Sequence, residues 1–428
     1  MNATPSRAVV APASRGPAPL WAVQSMVFLA SMGTGVVTNG IFFIAKESGG
    51  FTPSMNFGLG LLLGVMYILG AAGVGPVLKR VAARNPRVSS RGVVAGLSVC
   101  MGAAAMVPPV VASLAPEWAA AAVWSGVGFY ALCSGAFWPI VESYLGGGRT
   151  GHSLRRAVGQ FNILWALAVL VSLWAMAPLL DRAPLAVLVV FGLIQLGATV
   201  LVVPMGREPG RHVAEQHEPH PPVYLPLLTT FRLLLPTSYY VVSVWSPFAP
   251  EALDRLGVEI GWQTPVAATW MLSRLVVFVA MERWHGWHGR WWLVVVGAVG
   301  MVGGIGVALV APLVGGGAGL ALLVAGLGML GVGNGVIYVA SLYYAMEVGR
   351  GEIKAGGTHE ALIGVGFAGG PMTGLLAVGA VRSGVLPEGA GLNLTMLVFL
   401  GVVLGIVGVW VGRRVAVATR RAGELSSV

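Results

Sequence analysis

Gly206 to Pro222 reads GREPGRHVAEQHEPHPP, and no other stretch of the chain is both so long and so polar. It sits in the middle of 428 residues that are 56% hydrophobic and only 10% charged. A soluble domain carries roughly 25% charged residues, so this chain lacks the polar surface a water-soluble globule needs. Apolar runs long enough to cross a bilayer lie on both sides of the stretch. Six precede it, at 20–45, 57–78, 92–114, 119–144, 157–180 and 184–205. Six follow, at 224–246, 263–282, 291–312, 317–346, 359–381 and 391–412. The expected fold is therefore an all-α membrane protein of about twelve transmembrane helices in two six-helix bundles. The expected division is an N-terminal bundle 1–205, a linker 206–223 and a C-terminal bundle 224–428. The seventh run contains Pro226, Arg232 and Pro236, which predicts a broken helix facing protein or a water-filled cavity.

The polar stretch holds His212, His217 and His220, but their spacing fits no zinc pattern and Pro and Glu dominate around them. It reads as a solvated linker. The 63 glycines suit closely approaching membrane helices. Cys100 and Cys133 both lie in apolar runs and read as small packing residues, not as a disulfide framework. Leu20 to about Ala45 ends in no small-residue cleavage pattern and reads as a retained first helix.

The net charge of +10 points to membrane orientation instead of nucleic acid, because the charges sit in short loops between apolar runs. Twenty of the 26 Lys and Arg fall in the terminal and alternate loop segments on one side. Four (Lys46, Arg182, Arg255 and Arg382) fall on the other, and Arg232 and Arg274 lie within spans. This bias predicts a protein integral to the cytoplasmic (inner) membrane with both termini in the cytoplasm.

The two halves echo each other at an offset of 200 residues. Gly135-Ala-Phe-Trp138 aligns with Gly335-Val-Ile-Tyr338, and Ser143-Tyr144 with Tyr343-Tyr344. Parallel six-helix repeats are a known transporter architecture. Glu142-Ser-Tyr-Leu-Gly-Gly-Gly-Arg149, its partial copy from Glu347 to Lys354, and Gly366-Phe-Ala-Gly-Gly-Pro371-Met-Thr-Gly374 resemble motifs of the major facilitator superfamily. The Gly-Pro motif stands in the eleventh helix, where antiporters of that superfamily carry it in the fifth. Gly75-Pro-Val-Leu-Lys79-Arg80 keeps the glycine and basic residues of the loop signature but lacks its aspartate. The resemblance implies a secondary active transporter that moves a small organic solute by alternating access.

In that architecture helices one, four, seven and ten line a central cavity. The candidate substrate-binding residues are Asn39, Trp138, Tyr239, Asn334 and Tyr338 on these helices, with Asn162 and Trp165 on the fifth and Trp270 and Arg274 on the eighth. A polar group in hydrocarbon is costly unless satisfied, which directs both Asn inward to bind solute or join helices. An intramembrane arginine needs a partner; for Arg274 the choices are an anionic solute or a salt bridge to Glu360 or Glu142, and the salt bridge is the expected outcome. Arg232 is placed to snorkel to the interface, His359-Glu360 to cap the eleventh helix, and Trp284, Trp287, Trp291 and Trp292 to form an interfacial belt. The candidate gating charges are Glu142, Arg149, Arg155, Arg156, Glu347, Lys354 and Glu360. No cofactor, metal or nucleic acid is expected. The expected partners are the bilayer, the solute and a coupling proton or sodium ion, and the expected state is a monomer. A membrane enzyme would need acids, bases or metal ligands gathered at one depth, whereas no Asp lies within a span. A transporter-like scaffold or sensor without transport is the remaining alternative.

Overall fold

The computed structural model describes residues 16–149, 151–210, 221–348, 353–385 and 388–426. It contains twelve helices long and apolar enough to cross a membrane, and no strand among the described residues. They are α1 (Leu20–Gly49), α2 (Pro53–Arg84), α3 (Ser90–Leu114), α4 (Pro116–Gly146), α5 (His152–Leu180) and α6 (Pro184–Val202), then α7 (Tyr224–Arg255), α8 (Ile260–Arg283), α9 (Trp292–Val314), α10 (Gly316–Ala345), α11 (Thr358–Arg382) and α12 (Gly391–Val417). The protein is an integral membrane protein.

Several helices outrun their apolar segments because local capping extends them. Thr52 accepts a hydrogen bond from the Met55 amide at 3.4 Å with Pro53 in the first turn, and Ser89 accepts from the Gly92 amide at 3.2 Å. Both satisfy amides that a helix start leaves unpaired.

The predicted break in α7 does not occur; Tyr224–Arg255 is one continuous helix. Pro226 sits in its first turn, where a missing N–H costs nothing. Around Pro236 hydroxyls back-bond to the carbonyls, Thr237 to Leu233 O at 2.9 Å and Ser238 to Leu235 O at 2.8 Å. The irregularities fall elsewhere. A π-helical turn, Val36–Gly40, interrupts α1, and α8 is interrupted at Ala268, between segments Ile260–Ala267 and Thr269–Arg283.

Burial separates inner helices from outer ones. The apolar window of α7 is 78% buried and that of α1 72%, against 22% for α12. Inner helices carry the polar side chains, and outer faces such as Leu69, Val299 and Ile406 are exposed and apolar, as lipid contact demands. Polar groups link neighbouring helices: Gln195 to Ser98 at 2.9 Å, Tyr240 to Thr373 at 2.7 Å, and Asn393 to Leu309 O at 2.8 Å.

His212, His217 and His220 lie outside the described residues. The start of the mid-chain stretch is pinned: the Ser90 amide donates to Glu208 Oε1 at 3.1 Å, and Tyr144 donates to Gly206 O at 2.8 Å. Trp284 and Trp292 are exposed at a helix edge as a belt requires, but Trp287 is buried and its indole donates to Met281 O at 3.1 Å. Arg232 is exposed, in keeping with a snorkelling side chain.

Candidate functional site

A central cavity of about 50 Å³ lies where α1, α2, α4, α5, α7, α8, α10 and α11 converge. Of the predicted binding residues it brings together Asn39, Trp138, Trp165, Tyr239, Trp270 and Tyr338. The offset pair Trp138 and Tyr338 both face it. Thr34, Thr38, Tyr67, Phe161, Val242, Glu360, Ile363 and Phe367 complete the wall. Asn39 stands on the π-helical turn of α1, a distortion that recurs at functional sites. It joins helices as well as lining the cavity, because Ser246 on α7 donates to its Oδ1 at 3.1 Å.

Arg274 lies immediately behind this wall and is fully buried. Its Nη2 donates to Tyr239 Oη at 3.0 Å. Five rings surround the guanidinium, their centroids at 4.6 Å (Tyr338), 4.7 Å (Trp165), 5.0 Å (Phe278), 5.6 Å (Tyr239) and 6.0 Å (Trp270). The expected carboxylate bridge is not formed, and no ion pair among the described residues includes Arg274. The rings take the place the carboxylate would have occupied.

Glu360 and Glu142 instead face each other. Their carboxyls are within hydrogen-bonding reach, and Tyr67 donates to Glu360 Oε2. The pair joins α4 to α11, and a hydrogen bond between two carboxyls requires a proton on one of them. This differs from the expectation of Glu142 in a gating ion pair and Glu360 at a helix cap. α11 continues from Ile353, so His359 and Glu360 fall past its first turn and point into the protein, both buried.

On the face that carries the basic loops, a vestibule of about 410 Å³ opens between α5, the end of α8 and α10. Asn162, predicted at the substrate site, lines this vestibule instead, with Arg155, Arg156, Glu282, Arg283, His285, His288 and Tyr343. His288 stacks on Tyr343 at 4.2 Å. Burial, aided by His285 and Arg155, pulls the His288 pKa down to about 4, so the ring is neutral at pH 7.

Among the gating charges, Arg155 meets Glu347 at 3.4 Å, linking α5 to the end of α10. Arg149 forms no ion pair among the described residues. Its guanidinium is buried and caps the end of α4, donating to Tyr144 O at 3.1 Å and Leu145 O at 2.7 Å. Arg156 is exposed at the vestibule rim. The Lys354 side chain lies outside the described residues. Asn334 is fully buried with neither side-chain heteroatom paired, and it does not reach the cavity wall.

The opposite face is closed. Lys46 at the end of α1 forms an ion pair with Asp254 at the end of α7, and Gln263 donates to the same carboxylate at 2.7 Å. Arg382 on α11 reaches Ser54 on α2 at 3.3 Å. The two sequence halves are therefore tied together at one face, with a vestibule at the face of the basic loops.

No protein-family model matches the sequence, and no curated protein matches it. Solved structures do. The chain superimposes on the nucleoside transporter NupG with a TM-score of 0.63 and 13% identity, covering 92% of this chain and 98% of that one. It superimposes on a bacterial homologue of the human lysosomal transporter Spinster, inward-facing and occupied, with a TM-score of 0.59 and 14% identity, over 93% and 96% of the two chains. The same homologue, inward-facing and unoccupied, gives a TM-score of 0.58 and 14% identity, over 93% and 95%. The chain has the major facilitator fold.

Within the major facilitator fold, the Lys46–Asp254 pair is a contact between the two sequence halves. Both side chains are part-exposed, and such pairs contribute about 0.2–1 kcal/mol. Asp254→Ala is expected to raise the population open at that face by about 1.4- to fivefold. Double electron–electron resonance between labels at the ends of α1 and α7 measures this; an unchanged distance distribution rejects the latch.

Proposed function

We propose that this protein is a secondary active transporter that carries a small organic solute across the cytoplasmic membrane by alternating access. The observation that carries this reading is the central cavity, walled by four helices from each side of the mid-chain stretch. It sits beneath a closed face and next to an open one. A cavity of about 50 Å³ is below the roughly 300 Å³ of an ordinary ligand site, so the centre must widen to admit solute. Rocking of two bundles, divided near residues 206–223, supplies that motion. The neighbours named above include a nucleoside transporter, but the aromatic box around Arg274 carries its own chemistry, and the substrate is not transferred from them.

The Glu142–Glu360 pair favours a proton as the coupling ion. It brings together two helices from opposite halves, and a hydrogen bond between the two carboxyls exists only while a proton is shared. Loss of that proton leaves two like charges facing each other in a low-dielectric site, which pushes the halves apart. A membrane enzyme is disfavoured because the cavity wall is mainly aromatic and Glu360, the one acid among its described residues, is tied to a second carboxyl. Solute uptake into proteoliposomes, with and without a pH gradient, tests the transport reading. Absence of uptake or exchange for every solute that stabilises the protein would favour a scaffold or sensor.

The charge bias places the basic-loop face and both termini in the cytoplasm. In a background lacking Cys100 and Cys133, a cysteine at Arg84 is expected to react only from the cytoplasmic side, and one at Ser383 only from outside. Both positions are exposed at helix ends. Reversed labelling would refute the orientation.

A further inference from the structure

We infer that the solute is an organic anion with a flat apolar body, held through its carboxylate by Arg274 and through its body by the surrounding rings. This rests on the transport reading above and narrows it.

Arg274 is a fully buried charge with an incomplete set of partners. A guanidinium stays protonated in proteins and offers five N–H donors. One nitrogen, Nη2, reaches Tyr239, while Nε and Nη1 have no acceptor. Ring faces offset part of the charge but are weak acceptors for the remaining N–H groups. An unpaired buried charge and unsatisfied buried donors are both costly. A carboxylate supplies two acceptor oxygens in the fork geometry that a guanidinium matches.

The surroundings select what carries that carboxylate. Trp165, Tyr239, Trp270 and Tyr338 belong at once to the box around Arg274 and to the cavity wall. They form a continuous aromatic path from the cavity to the cation. A strongly hydrated inorganic anion would lose its water there without replacement, whereas a planar apolar body stacks on such rings. The vestibule has the same sign preference. Arg155 is paired with Glu347, and among the described lining residues Arg156 and Arg283 stand against Glu282 alone, so the approach attracts anions.

The test uses the purified full-length protein, with melting temperature and Trp fluorescence read during titration with benzoate, its neutral isostere benzamide, and inorganic phosphate. Benzoate is expected to raise the melting temperature saturably and to change the fluorescence of Trp165 and Trp270. Benzamide and phosphate are expected to do neither. Arg274→Lys is expected to keep the fold and weaken benzoate at least tenfold, because Lys loses the two-pronged geometry. If that variant does not survive purification, the wild-type contrast between benzoate and benzamide decides. Equal binding of benzamide and benzoate, an effect of phosphate alone, no effect of any probe, or full affinity in Arg274→Lys overturns the inference. Transport of a neutral solute that survives Arg274→Lys would sink this inference and leave the transporter reading standing. Immobile bundles in the distance measurements would sink the transporter reading itself.

Discussion

Glu360→Gln is expected to abolish proton-driven accumulation of solute while leaving solute exchange intact. In the wild type, Tyr67 donates to Glu360 and the two carboxyls bridge α11 to α4. Glutamine at 360 still accepts from Tyr67 and can donate permanently to Glu142, so the bridge no longer depends on a proton. Binding of a proton and opening of the interface are linked free energies, and removing the titratable group removes the linkage. With one coupled proton, each pH unit across the membrane drives about a tenfold concentration ratio. The variant should lose that ratio and still exchange labelled for unlabelled solute at a rate near wild type. Glu142→Gln should behave alike, because either carboxyl can hold the shared proton. Accumulation that persists in both variants would show that the coupling ion acts elsewhere.

Gly370→Val is expected to be a severely damaging packing change. A Cβ at Gly370 would meet Tyr240 O at 2.5 Å, Ser243 C at 2.6 Å and Val244 N at 2.7 Å. These are backbone atoms of α7, which no rotamer change can move aside. Forcing the helices apart at such a site costs about 3 kcal/mol, the upper end of what overpacking usually costs. It also pulls apart Tyr240 and Thr373, whose hydroxyls join α7 to α11. The variant should melt well below wild type or fail to accumulate. Gly405→Val in α12, with nothing within 4 Å, is the control and should change little. Equal melting temperatures for the two variants would contradict the packing account.

The glycine-proline motif of α11 illustrates how far sequence reading reaches. Its spacing marks Gly366 to Gly374 as special, but the reason appears only in three dimensions. Gly366 and Gly370 let α11 lie against α7, while Gly374 admits Phe57 of α2. The same holds for Trp138 and Tyr338, whose offset of 200 residues marks them as equivalents and which both face the cavity. For Arg274 the sequence poses the question and points the wrong way. A buried cation needs compensation, and a carboxylate is the expected source; five rings from α5, α7, α8 and α10 provide it. Aromatic residues are ordinary in membrane spans, so nothing along the chain distinguishes ring faces turned toward a cation from rings turned toward lipid.

By itself the sequence determined the membrane class, the twelve spans and their grouping about the Gly206–Pro222 stretch. These follow from composition and from runs of neighbouring residues, because hydrocarbon demands a continuous apolar helix at each crossing. Only the tertiary structure decided which polar groups meet. Glu142 and Glu360 are 218 positions apart, and their pairing depends on α4 reaching α11. The same holds for Lys46 and Asp254 at the closed face and for Arg155 and Glu347 at the open one. Hydropathy fixes how deep a residue sits, but not the direction its side chain takes around the helix. That direction is set by packing between helices far apart in sequence, and packing decides which charge meets a carboxyl, which meets a ring, and which stays free for a solute.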